Sequence, residues 1–69
     1  MHMEKIVKEI KDRRESLSVS QESLAELSGV GLRTLKLIES GKGNPTIKTL
    51  QKVVGVLGME VCLRIKKIS

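Results

Sequence analysis

Boundary residues divide this sequence so finely that no long element can form. Ser20, Gly29, Gly41, Gly43, Thr46 and Gly58 stand at the ends of apolar-periodic stretches. Each suits a helix boundary: a hydroxyl accepts from the free N–H groups of a first turn, and glycine takes the left-handed geometry that ends a last turn. The stretches between them read as four short helices. From Met3 to about Leu17, Ile6, Val7 and Ile10 share one face, while Lys5, Lys8, Glu9 and Asp12 take the other. Ser20, flanked by Val19 and Leu24, is an N-cap with a hydrophobic staple, although Ser23 stands where a full capping box has Glu. The second helix is expected to bury Leu24, Ala25 and Leu27 and to stop at Gly29. A third runs from about Leu32 to Ser40 with Leu35 and Ile38 inward, and Gly41 and Gly43 end it as left-handed residues. Asn44-Pro45-Thr46 turns the chain into a fourth, whose apolar set is Ile47, Leu50, Val53, Val54 and Leu57.

The period then changes. Met59, Val61, Leu63 and Ile65 alternate with Glu60, Cys62, Arg64 and Lys66, the two-residue repeat of a half-buried strand. A single strand leaves its backbone groups and apolar face without partners. The sequence offers no second strand, so the simplest partner is the same segment of a second copy, placed antiparallel about a two-fold axis. Cys62 falls within this alternation and reads as a strand residue. The expected organisation is a mainly α, compact four-helix bundle over residues 1–58. One C-terminal β-strand over 59–69 then pairs across a homodimer through Met59, Val61, Cys62, Leu63 and Ile65.

Size supports the same conclusion. A 69-residue chain buries only about 60% of the surface its unfolded form exposes, which leaves it marginal. With no Phe, Trp or Tyr, the core must be aliphatic. One cysteine and one histidine, His2, offer neither a disulfide nor a metal-ligand set, so association with a second copy is the remaining source of stability. No catalytic residues, metal or cofactor are assigned: the sequence has no Gly-rich phosphate loop and no His beside a nucleophile. No apolar run approaches the length of a membrane span or a signal-peptide core, and a reducing cytoplasm is the expected location.

Charge is placed unevenly. Residues 1–30 hold five basic and six acidic side chains, net −1; residues 31–69 hold eight and two, net +6, giving +5 in all. This points to a face that meets a polyanion, or to a surface that is merely soluble and basic.

The helices over 21–28 and 32–40, joined by about three residues, have helix-turn-helix geometry, with Leu24, Val30, Leu35 and Ile38 as the apolar seam. Ala25 is small where the two helices cross. An ordinary helical hairpin shares the small residues. The wider motif set is more specific: Gln21-Glu22-Ser23-Leu24-Ala25, Gly29-Val30, Arg33-Thr34-Leu35, Ile38-Glu39-Ser40-Gly41-Lys42, Asn44-Pro45-Thr46 and the run Leu50 to Leu57. On these residues, the stretch from Leu17 to Leu57 resembles the Cro/repressor-type (Xre family) helix-turn-helix proteins.

The resemblance implies that the third helix enters the major groove of double-stranded DNA. It places base readers at Leu32, Arg33, Lys36 and Leu37, with Arg33 foremost because its planar fork can grip guanine O6 and N7 together. Gln21, at the positive end of the second helix, corresponds to a phosphate anchor. Thr34 suits a phosphate or a base, and Ser40, Lys42 and Asn44 match backbone contacts. Leu32 and Leu37 depart from the polar readers common in the family; they either touch thymine methyl groups or cover the core edge. Arg14 and Glu39 match positions that form a structural ion pair between the first and third helices. The short domain with a strand-like tail is similar to HipB-type antitoxins, which bind their own operator and a kinase-like toxin. The expected function is therefore a dimeric repressor on an inverted-repeat operator, with a toxin partner. The alternatives are a stand-alone or phage-type repressor, and a protein-interaction module that uses its basic face.

Overall fold

The computed structural model describes residues 3–62. Four helices occur among them: α1, Met3–Ser16; α2, Gln21–Ser28; α3, Leu32–Glu39; and α4, Ile47–Val56. The hydroxyl caps form as expected. The Ser20 Oγ accepts from the Ser23 N–H at 3.0 Å, and the Thr46 Oγ1 accepts from the Thr49 N–H at 3.1 Å. Gly29 ends α2 at φ 73°, and the left-handed conformation lets its N–H reach the Glu26 carbonyl. α1 closes without a glycine, on Ser18 at φ 57°.

Ile10, Leu24, Leu35, Ile38, Leu50, Val53 and Leu57 are sealed at the centre, with Ala25, Val30 and Val54 around them. α2 packs against both α3 and α4, and α3 also packs against α1. The Arg13 Nε donates to the Leu57 carbonyl at 2.9 Å, placing a cation on the carbonyl end of α4. This tie between α1 and α4 has no obvious signal in the sequence pattern.

Three expectations are corrected. Leu27 is 67% exposed. At 100° per residue it lies roughly 60° to the far side of Leu24 from Ala25, and the half-buried Ser28 takes the inward position. Ile47, the first residue of α4, is also half exposed, because it precedes the turn that meets the core.

Gly43 is not left-handed, unlike Gly41 at φ 77°. It is needed for space instead: a Cβ there would meet the Leu37 carbonyl carbon at 3.2 Å and the Ile38 nitrogen at 3.3 Å. Both atoms are backbone and yield little. Gly43→Ala is therefore expected to cost about 1–3 kcal/mol by overpacking, read as a lower urea midpoint with an unchanged slope.

The strand expected over residues 59–69 lies only partly within the described residues. No strand occurs among the described residues, and Met59–Cys62 run as irregular backbone. A strand is defined by its partner, and the described part of one chain supplies none. The alternation itself persists. Met59 and Val61 are half-buried against the core, while Glu60 and Cys62 are exposed. Leu63 and Ile65 lie outside the described residues.

Candidate nucleic-acid interface

α2 and α3 meet across Gly29–Gly31. Within this turn the Ser28 Oγ donates to the Ala25 carbonyl at 3.3 Å and accepts from the Val30 N–H at 3.2 Å. Val30 thereby turns inward onto Leu24 and Leu35, which fixes the crossing of the two helices. With Leu35 and Ile38 holding the inner side of α3, Arg33, Thr34, Lys36 and Leu37 are left exposed on the outer side. Leu32 is half-buried and packs against the core.

A shallow concavity runs along that outer side, lined by Leu32, Arg33, Lys36, Leu37, Ser40 and Lys42. The segment after α3 folds back to complete it. The Leu37 carbonyl accepts from the N–H groups of Lys42 at 3.2 Å and Gly43 at 3.1 Å, and from the Ser40 Oγ at 2.8 Å. The Ser40 hydroxyl is thus engaged with its own helix end, whereas Lys42 and Asn44 are exposed.

A second concavity adjoins the first, lined by Lys11, Arg14, Gln21, Lys36, Glu39 and Ser40. Its floor is an ion pair. The Arg14 Nε donates to Glu39 Oε2 at 2.8 Å, and its NH2 nitrogen donates to Oε1 at 3.0 Å, a two-pronged contact. The remaining guanidinium nitrogen donates to the Val19 carbonyl at 2.9 Å. Hydrogen bonding to Glu39 raises the Arg14 pKa above its ordinary value, so the guanidinium stays charged at any working pH. The Gln21 amide turns onto the same carboxylate, with Nε2 donating to Oε1 at 3.0 Å. Among the described residues no buried side-chain polar atom lacks a partner.

This arrangement explains how a carboxylate can sit beside a cationic face. Glu39 is neutralised from within by Arg14, so its charge does not oppose an anion approaching Arg33, Lys36 and Lys42. Lys11 joins that face, and the sequence reading did not select it. Its signal was available: Lys11 and Arg14 are three apart and therefore neighbours on one side of α1. Lys8, one turn earlier, is instead paired with Asp12 at 2.6 Å.

Among the described residues no group of three or more His, Cys, Asp or Glu side chains could hold a metal ion, and no helix is long and apolar enough to cross a membrane.

Two short helices locked across a glycine turn, the second presenting a cationic outer side, define a helix-turn-helix module. Comparison with known proteins agrees: the helix-turn-helix family profile matches residues 10–62. The chain belongs to this family, in its Xre type. It is 39% identical over 64 residues to an uncharacterised HTH-type transcriptional regulator of Haemophilus influenzae, a match that covers 88% of this chain and 65% of that protein. The chain thus spans slightly less than two thirds of that relative's length. A second uncharacterised HTH-type transcriptional regulator, from Archaeoglobus fulgidus, is 35% identical over 52 residues, covering 75% of this chain and 73% of its own. No solved structure gives a significant match.

Proposed function

We propose that this chain is a transcriptional repressor that binds an inverted-repeat operator as a dimer, and that it is the antitoxin of a toxin–antitoxin pair. The observation that carries the DNA reading is the cationic outer side of α3, where Arg33, Lys36 and Lys42 share a concavity and Arg14 cancels the carboxylate behind them. Residues 1–58 form the DNA-binding unit and 59–69 the dimerisation segment. Arg33 reads guanine, with Lys36, Leu32 and Leu37 beside it in the groove. Thr34, Lys42 and Asn44 hold the phosphate backbone, and Ser40 joins them only by turning its hydroxyl away from the Leu37 carbonyl. Gln21 contributes the amide N–H that Glu39 leaves free, since an amide carries two donors. Lys11 adds a further phosphate contact from α1.

Dimerisation follows from the tail. An apolar groove between α1, α4 and the tail is lined by Ile6, Ile10, Leu50, Val54, Met59 and Val61. The sequence alternation continues through Leu63 and Ile65, and the corresponding segment of a second copy matches that groove in character. Two heads about 34 Å apart then reach successive major grooves, and occupancy excludes the transcription machinery. The antitoxin role, with a kinase-like toxin as partner and the cytoplasm as location, is supported by the resemblance of the tail to HipB-type proteins. A stand-alone or phage-type repressor without a toxin is the second reading; co-purification of a toxin from the native source separates the two.

The test is binding to DNA upstream of the protein's own gene at two salt concentrations. Wild-type affinity is expected to fall steeply with salt. Arg33→Ala should lose roughly tenfold to a hundredfold in affinity and relax selectivity at one position of each half-site. Lys11→Gln should weaken all sequences alike and flatten the salt slope by about one per site. Absence of binding, or equal binding of wild type and Arg33→Ala to any DNA, would make the helix pair a scaffold for a protein partner.

A further inference from the structure

The outer side of α3 is not uniformly polar. Leu37 is 44% exposed and lines the concavity that also holds Arg33, Lys36 and Lys42. Leu32 lines the same concavity but packs against the core, so its burial is explained by the fold. Leu37 has no such explanation, since the inner side of α3 is completed by Leu35 and Ile38. Nor is its position loose. Its carbonyl accepts three hydrogen bonds from the segment that follows, and Gly43 lies close beneath its Cβ. With its backbone so held, the side chain leaves α3 from a defined place.

We propose that Leu37 reads a thymine through its 5-methyl group, next to the guanine gripped by Arg33. The proposal rests on the DNA-binding reading given above. The chemistry selects the occupant: three cations around an apolar side chain exclude a purely apolar partner and suit a polyanion that displays a methyl group. The major-groove edge of a thymine is such a surface, because it alone among the four bases carries a methyl there. Geometry then fixes the spacing. Arg33 and Leu37 are four apart on one helix, with Cβ atoms roughly 5–6 Å from each other. A base step rises 3.4 Å. The thymine therefore lies one or two base pairs from the guanine in each half-site, and Leu32 makes no methyl contact of its own.

The experiment selects high-affinity sites from random duplex DNA with the wild-type protein, then replaces each thymine in turn by deoxyuridine, which removes only the methyl group. At one thymine per half-site, within two base pairs of the guanine whose recognition Arg33→Ala abolishes, the replacement should weaken wild-type binding about fourfold, the value of one buried methyl. Leu37→Ala, at an exposed position that the fold does not need, should bind the thymine and deoxyuridine sites equally. Leu37→Gln, which can reach adenine N6 and N7, should also lose the methyl dependence and provides a second variant. Selected sites with no thymine effect, or a thymine effect that survives both Leu37 variants, would overturn the proposal and leave the DNA-binding reading intact. Failure to select any DNA would overturn both.

Discussion

Arg14→Met is expected to cost about 3–5 kcal/mol, because it leaves the Glu39 carboxylate buried without its cation. The Glu39 side chain is only 3% exposed, and the Gln21 amide alone would remain to meet its charge. The Val19 carbonyl would lose a donor as well. A domain of this size has about 3–5 kcal/mol in reserve from its core, so folded and unfolded forms of the variant should be comparably populated at 25 °C. Replacing both partners, Arg14→Met with Glu39→Leu, should recover most of the loss, since two apolar side chains leave no stranded charge. The pair is therefore weak evidence for stability and strong evidence for orientation: it fixes α3 against α1 at one register. Urea denaturation of the two single variants and the double variant, at one fixed protein concentration, measures the coupling directly. Acidity and alkalinity in the ordinary range should not open the pair through Arg14. Its folded pKa is raised, so its contribution is complete below the ordinary arginine value and is lost only as pH climbs past the folded one.

What could be read from the sequence divides along physical lines. Cap chemistry and positive φ are local properties, so Ser20, Thr46 and Gly29 announced the helix ends, while Ser18, a non-glycine in the left-handed region, did not. Periodicity found the sealed core but could not weigh Leu24 against Leu27 in an eight-residue helix, where a rotation of some tens of degrees decides which leucine faces in. Gly43 was assigned to the wrong cause because close approach between a loop and a helix backbone is a tertiary fact with the same sequence signature as a left-handed turn. The tail showed a period of two, and Met59 and Val61 keep it, yet strand geometry depends on a partner that one sequence does not specify. At the proposed interface, motif alone points to the exposed residues of α3, whereas Lys11 enters only when α1 is folded across it.

Leu35→Ala is expected to cost about 2–5 kcal/mol, since Leu35 is fully buried where α2, α3 and the turn converge. The residue stands on the side of α3 opposite the proposed readers, so the substitution separates two things that a simple loss of binding would confuse. If Leu35 only supports the helix, the variant should melt near or below room temperature without DNA and be rescued by it. DNA at about a hundred times its Kd should restore roughly 2.7 kcal/mol, and the melting temperature should climb with DNA concentration. Site preference should remain that of the wild type, because the folded fraction presents the same Arg33, Lys36 and Leu37; only the apparent affinity falls, in proportion to that fraction. Arg33→Ala should do the reverse, melting like wild type while losing selectivity. Leu27→Ala supplies the contrast on α2: with Leu27 67% exposed, the same chemical change should stay within about 0.5 kcal/mol of wild type. Equal losses at Leu27 and Leu35 would mean that Leu27 is covered in solution, and the surface covering it would have to be a second copy or another protein.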